Sequence, residues 1–264
     1  MRVSIDDLFN LTVLTNYFDA TKSLAPWTDR WMAFININDV KSHEGGLMAK
    51  FLWIAWEFGG TDDFTIVSRR MLMELGSTAL EESFRALSQP TPPDITERIE
   101  AIRIQSSQAL LNIFREMADN LIVVDERVRW CRHHTWMGHH RCESMILGSM
   151  TFCLTRAGLW PLPESQDIDY SLLELYEKLT TLVIHDIGKA DTSNPEANHK
   201  ECNPRPYLLE QVQKVMREMP NPVSAFHIKH MEKQARRLFS IDNLNPPPPE
   251  PQQEPFISVD ETVT

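Results

Sequence analysis

Segment after segment of this chain carries apolar side chains three and four residues apart, and that spacing confines it to helices packed on helices. The longest example follows the breaker Pro90-Thr91-Pro92-Pro93 and runs through Ile95, Ile99, Ile102, Leu110, Ile113, Met117 and Leu121. Side chains so spaced share one face of an α-helix, so a single long helix is predicted there, the spine of a domain. Ahead of it, Ser4 precedes Ile5, Leu8, Leu11 and Leu14, with Asp7 placed where a carboxylate meets the first-turn N–H groups. From Leu47, a second face passes through Phe51, Ile54 and Phe58 between Gly45-Gly46 and Gly59-Gly60. A third, opened by Thr61 or Asp62 and ended by Gly76, carries Phe64, Val67, Met71 and Leu75. Further helices are predicted at 143–157, 169–185, 205–219 and 222–239, with Pro161 and Pro163 parting the first two. Residues 121–124 are a short candidate strand, but no series of strand and turn signals supports a sheet. The expected fold is all-α, an irregular multi-helix domain.

The last residues change character. Pro246 to Pro249 are followed by Pro251 and Pro255, no Lys or Arg occurs after Arg237, and Asp242, Glu250, Glu254, Asp260 and Glu261 make the end acidic. Such a stretch buries too little apolar surface to offset its ordering entropy, and consecutive prolines favour polyproline II. A disordered Pro-rich acidic C-terminal tail is therefore expected over 241–264, either simply solvated or a docking segment for a proline-recognising domain. The rest divides into a helical segment at 1–89 and a C-terminal helical region at 90–240.

Charge and cysteine content narrow the function. With 26 basic against 37 acidic side chains and a net charge of −11, the surface is poorly suited to phosphate backbones, so nucleic acid is excluded as a first partner. No run approaches the ~20 apolar residues that span a bilayer, so no membrane association is expected. Four cysteines in 264 residues do not make a disulfide scaffold, and MRVSIDDLFNL lacks the charged start and apolar run of a signal peptide. An intracellular, reducing setting follows, with cytoplasm and nucleus not distinguished.

The stretch LFNLTVLTNYFDATKSLAPWTDRW (residues 8–31), followed by FLWIAWEFG (51–59), resembles the region just after the strand-rich core of fungal BTB/POZ-domain proteins. The resemblance continues in IEAIRIQSSQALLNIF, RCESMILGSMTFCLTRAGLWPLP, NHKECNPRPYL and PNPVSAFHIKHMEKQARRL, in the same order. It implies a non-enzymatic protein-interaction or scaffold module with protein partners of unknown identity. Complete members of the wider superfamily often dimerise and act as adaptors, including for cullin-type ubiquitin ligases. In that family a mixed sheet precedes this region, and here Met1 falls after it. The expectation is thus a natural product that extends further upstream, with a paralogue that lost the core as the alternative, and homodimerisation is doubtful for a chain without that sheet.

Two motifs could carry chemistry. His185-Asp186-Ile187-Gly188-Lys189, after the apolar run Leu182-Val183-Ile184, resembles the element with which HD-type phosphohydrolases hold a metal that activates water. His133, His134, His139 and His140 are upstream candidates for further ligands, but Asp191 is too near and Asp242 too close to the tail to supply the downstream Asp. The phosphohydrolase is therefore the alternative reading. The bland one makes His185 the C-terminal cap of a helix that Gly188 terminates.

The second motif is richer in soft ligands. Cys131 and Cys142 flank four histidines, and His199-Lys200-Glu201-Cys202 follows later. Cys131, Cys142, His199 and Cys202 are candidate ligands of a closed structural zinc, against the alternative of reduced thiols beside surface histidines. In the resembling family a cysteine before the "LGSL" run and the His-x-x-Cys step both recur, which implies Cys142, His199 and Cys202 as the stronger members. The spacing makes a geometric demand: the segment before the helix at 143–157 and the loop before Pro204 must meet, which an antiparallel pair at 143–157 and 169–185 makes plausible, with sulfur atoms ~4 Å apart. Cys153 shares an apolar face with Ile146, Met150 and Ala157 and reads as core. His227 and His230, one helical turn apart beside Lys229, Lys233, Arg236 and Arg237, read as a solvated basic face. Trp27 with Trp31, and Trp53 with Trp56, are expected to stack in the core where two helices cross, with an exposed aromatic groove for a partner peptide as the alternative.

Overall fold

The computed structural model describes residues 3–35, 40–41, 45–85, 91–122, 129–132, 138–186 and 199–239. Within them the chain forms α1 (Ile5–Tyr17), α2 (Ala25–Met32), α3 (Gly45–Phe58), α4 (Thr61–Glu74), α5 (Ser77–Arg85), α6 (Ile95–Ile122), α7 (Gly138–Arg156), α8 (Leu172–Thr180), α9 (Arg205–Glu218) and α10 (Ala225–Phe239). Short 3-10 turns stand at Thr21–Leu24, Ser165–Asp167 and Lys200–Cys202, and the described residues contain no strand. The all-α expectation is met. The tail expectation concerns residues outside those described, as does half of the candidate strand at 121–124, whose first two residues close α6. Among the described residues no helix is long and apolar enough to cross a membrane.

Two helices organise the packing. α3, with every side chain from Phe51 to Phe58 buried, is covered by α1, α4, α5 and α10. α6, 28 residues and about 42 Å long at 1.5 Å per residue, is flanked by α4, α7, α8 and α9. Its inward face carries Ile95, Ile99, Ile102, Leu110, Phe114 and Met117. Ile113 and Leu121 pack against that core from its edge. Arg103, buried on the same helix, is held by Glu100 at 2.9 Å and by the carbonyl of Ile168 at 3.2 Å, so its charge is compensated where water is excluded.

Local signals set some of the helix ends. The Ser4 hydroxyl accepts the Asp7 N–H at 3.1 Å, and Ser171 with Glu174 forms a reciprocal capping box at the start of α8. Gly59, at φ +72°, ends α3 where α10 crosses. A Cβ there would lie 2.4 Å from the Met231 carbonyl oxygen, so only glycine admits this approach. Neither Thr61 nor Asp62 caps α4, whose N-cap is Gly60.

Three expectations need correction. The helix predicted over 169–185 is confined to Leu172–Thr180, because residues 182–186 are drawn off into an extended path. Arg205 Nε donates to the Leu182 carbonyl (2.9 Å), Asn203 Nδ2 donates to the Ile184 carbonyl (2.9 Å), and Ser149 Oγ accepts the His185 N–H (2.7 Å). His185 is therefore not a helix cap, and Gly188 lies outside the described residues. The basic face expected at His227 and His230 is in fact a packed one. His227 is buried, its Nδ1 accepting the Ser224 N–H (3.0 Å) and its Nε2 meeting the Pro93 carbonyl (2.7 Å). The His230 ring lies parallel to Trp56, centroids 3.8 Å apart. Finally, Trp27 and Trp31 stack on each other along α2 with Trp27 half exposed, not in the core where two helices cross, whereas Trp53 and Trp56 are core as expected. α5 was not legible in the chain. Its first turn is capped from a distance by Asp169, whose Oδ1 accepts from the Thr78 N–H and the Ser77 hydroxyl, both at 2.8 Å.

Candidate metal centre

The segment 129–132, the first turn of α7 and the 3-10 turn Lys200–Cys202 meet at one point beside α6 and α9, and each brings a soft donor. Cys142 lies on α7 one residue before Glu143, Cys131 stands in the segment ahead of that helix, and His199 and Cys202 bracket the 3-10 turn. A tight turn suits the last pair: the Cys202 N–H closes on the His199 carbonyl at 2.9 Å, which folds both side chains to one side.

The four ligand atoms all lie within 4.8 Å of one another, and all four residues are buried, Cys142 completely. Cys131 Sγ is 3.9 Å from Cys202 Sγ and 3.3 Å from His199 Nδ1, while Cys202 Sγ is 4.0 Å from the same nitrogen. Sulfurs bound ~2.3 Å from a common tetrahedral centre would be ~3.8 Å apart, so the donors stand at near-coordinating separations. The cysteines are free thiols. Burial and the two neighbouring sulfurs push the Cys142 thiol far above the usual thiol range, as expected where three sulfurs crowd together. The set can hold a metal ion, whose charge would favour the thiolates that crowding alone disfavours. The convergence demanded by the sequence is thus present.

Outer contacts hold the donors in place. Glu143, 8% exposed, offers one carboxylate oxygen to three successive backbone N–H groups, those of Arg129 (3.0 Å), Trp130 (2.7 Å) and Cys131 (3.0 Å). This pins the Cys131 segment to the helix that carries Cys142. Trp130 ties the third element in, its indole N–H donating to the Cys202 carbonyl at 2.6 Å, and the Arg132 N–H points at Cys202 Sγ from 3.4 Å. Sequence spacing marked the ligands but not Glu143 or Trp130. Their signal is adjacency alone, a carboxylate next to one cysteine and an indole next to another.

The other candidates fare differently. His185 and Asp186 lie in the extended segment, with the Asp186 carboxylate accepting from Asn203 Nδ2 at 3.1 Å. Among the described residues no second group of three or more His, Cys, Asp or Glu side chains converges as the Cys/His set does. His139 and His140 lie on the first turn of α7, and His133 and His134 are outside the described residues. Cys153 is not fully core: its thiol donates to the Val183 carbonyl at 2.7 Å and borders a surface groove. Compared with known proteins, the chain matches no family model, no curated protein and no solved structure.

Proposed function

We propose that this chain is a non-enzymatic helical interaction module whose C-terminal half is clamped by a structural zinc on Cys131, Cys142, His199 and Cys202. The observation that carries the reading is the closed donor set. Four buried ligands from three chain segments are the number a closed tetrahedral zinc takes, and a zinc bound by all four would keep no position for the water or substrate that a catalytic zinc needs. Three thiolates with one imidazole suit zinc over harder cations, and the N–H directed at Cys202 Sγ is the kind of outer contact that steadies a thiolate ligand. The interaction role rests on the resemblance to the helical region of fungal BTB/POZ proteins. Exposed aromatic side chains at Tyr17 (81%), Phe18, Trp27 and Phe34 are the type of surface a protein partner covers.

The test is metal analysis of the purified chain. One equivalent of zinc is expected, lost in Cys142→Ser and in Cys202→Ser, and cobalt substitution should give the intense thiolate-to-metal band and visible spectrum of a tetrahedral site. A metal-free protein that folds fully, or an octahedral cobalt spectrum, overturns the zinc reading. With manganese and a panel of nucleotides and phosphodiesters, no turnover is expected. Hydrolysis abolished by His185→Ala with Asp186→Ala would establish the phosphohydrolase instead.

A further inference from the structure

A groove of about 370 Å³ opens between the last turns of α7 and the segment after α8, bordered by Phe152, Cys153, Arg156, Lys178, Val183 and His185. Part of its border is apolar and open, with Phe152 58% and Val183 56% exposed. The rest is cationic. Among the described residues none that lines the groove is Asp or Glu, and neither Arg156 nor Lys178 has a carboxylate within ion-pair distance. Their charges are positioned without being neutralised. The Arg156 guanidinium lies over the Phe152 ring at 5.8 Å, and Lys178 Nζ lies over Tyr170 at 4.6 Å while donating to the Ala157 carbonyl. In a chain with 37 acidic and 26 basic side chains, two cations that meet no carboxylate among the described residues, gathered with an imidazole at an apolar groove, form a positive spot in a negative field.

We propose that this groove is the intramolecular docking site of the chain's own acidic end, Phe256-Ile257-Ser258-Val259-Asp260-Glu261. The chemistry matches in kind and in order. Phe256, Ile257 and Val259 supply apolar side chains for the Phe152 and Val183 border, and Asp260 and Glu261 follow at once to meet Arg156 and Lys178. No Lys or Arg occurs after Arg237 to oppose the approach. The tether is long enough. Twenty residues separate Phe239, the end of α10, from Val259. A flexible tether of that length spans ~25 Å on average, and ~60 Å where prolines extend it, against a radius of gyration of ~18 Å for a domain of this size. Tethering also decides between this occupant and a free one. A linked segment experiences an effective concentration near the millimolar range, so a contact too weak to hold a separate peptide is substantially filled in cis. A partner for this face must therefore displace the tail.

Cys153 sits in the groove and reports on it. Val259→Cys, in the full-length chain exposed to oxidised glutathione, is expected to form a disulfide between the introduced thiol and Cys153 within one chain, identified by peptide mass spectrometry. Gln252→Cys, in the proline-rich stretch, should link several-fold less. Arg156→Glu with Lys178→Glu should lower linkage at Val259→Cys roughly fivefold or more, as expected for two exposed ion pairs. Equal linkage from both positions, indifference to charge reversal, or a product found only between two chains overturns the proposal. A second measurement needs no new thiol: backbone amide resonances of residues 256–261 in the unaltered chain should depart from random-coil positions at low salt and return to them at high salt. Random-coil positions under both conditions also overturn it.

Discussion

Removing the Glu143 carboxylate is predicted to loosen the metal centre without touching a ligand. One of its oxygens accepts three backbone N–H groups, at 3.0, 2.7 and 3.0 Å, and hydrogen bonds to a charged acceptor contribute about 1.5–3 kcal/mol each. The three losses are unequal. Arg129 is exposed and Trp130 half buried, so water can replace the carboxylate at their N–H groups at small net cost, whereas Cys131 is buried and water does not readily take the carboxylate's place there. One full loss and two partial ones give about 3 kcal/mol for Glu143→Ala. Glu143→Gln keeps an acceptor in place, loses only the charge, and should cost about 1 kcal/mol. For a chain of this size these convert to falls in melting temperature of roughly 6–12 °C and 2–4 °C. Thermal unfolding followed by circular dichroism measures both, and titration with cobalt should show weaker binding in the alanine variant because Cys131 is no longer held beside Cys142. If both variants melt within about 1 °C of the unaltered protein, the carboxylate does not hold this segment and the reasoning fails.

Chelating the bound metal should cost about 4 kcal/mol in chain entropy alone, by analogy with a cross-link between Cys131 and Cys202, 71 residues apart, and lower the melting temperature by roughly 8–16 °C. An unchanged melting curve after exhaustive chelation would refute a stabilising metal. Gly59→Ala should destabilise by about 2–4 kcal/mol, since its Cβ would meet Met231 O at 2.4 Å and Ala235 N at 2.6 Å at a positive φ. Gly148→Ala, in open space within α7, should instead stabilise by up to about 1 kcal/mol, and denaturant unfolding of the pair checks both signs. His230 is held below its ordinary pKa, first by burial and then by Lys233, Arg237 and His227, and its Nε2 is buried without a hydrogen-bond partner among the described residues. The unfolded chain therefore takes up this proton first as pH falls. The stability the neutral ring contributes is complete above the unfolded value of 6.5 and declines below it, toward the folded pKa. His230→Phe should show a smaller loss between pH 8 and pH 5.5 than the unaltered protein, and parallel curves for the two would exclude the assignment.

Much of this molecule is decided locally and so can be read from the chain. A run such as Ile95, Ile99, Ile102 and Leu110 has one way to bury its apolar side chains, as one face of a helix, and a serine followed by Asp7 or Glu174 satisfies the first-turn N–H groups from within the same few residues. The identity of the metal donors is local in the same sense, because few residue types bind soft cations and three of the chain's four cysteines fall in two segments that also carry histidines. Whether those segments meet is not local. Glu143 and Trp130 draw the segments together through backbone groups that carry no residue code, so spacing could pose the question but not answer it. The same physics explains the other surprises. α5 is capped by Asp169, 92 positions from Ser77, and residues 182–186 leave the helical path because Arg205, Asn203 and Ser149 compete for their backbone groups. His227 is buried because Pro93 and Trp56 come to lie over a helix face whose sequence reads as basic. Periodicity reports which side chains seek burial. Only the assembled helices determine which polar groups are carried inside with them, and each of those persists where a partner distant in sequence satisfies it.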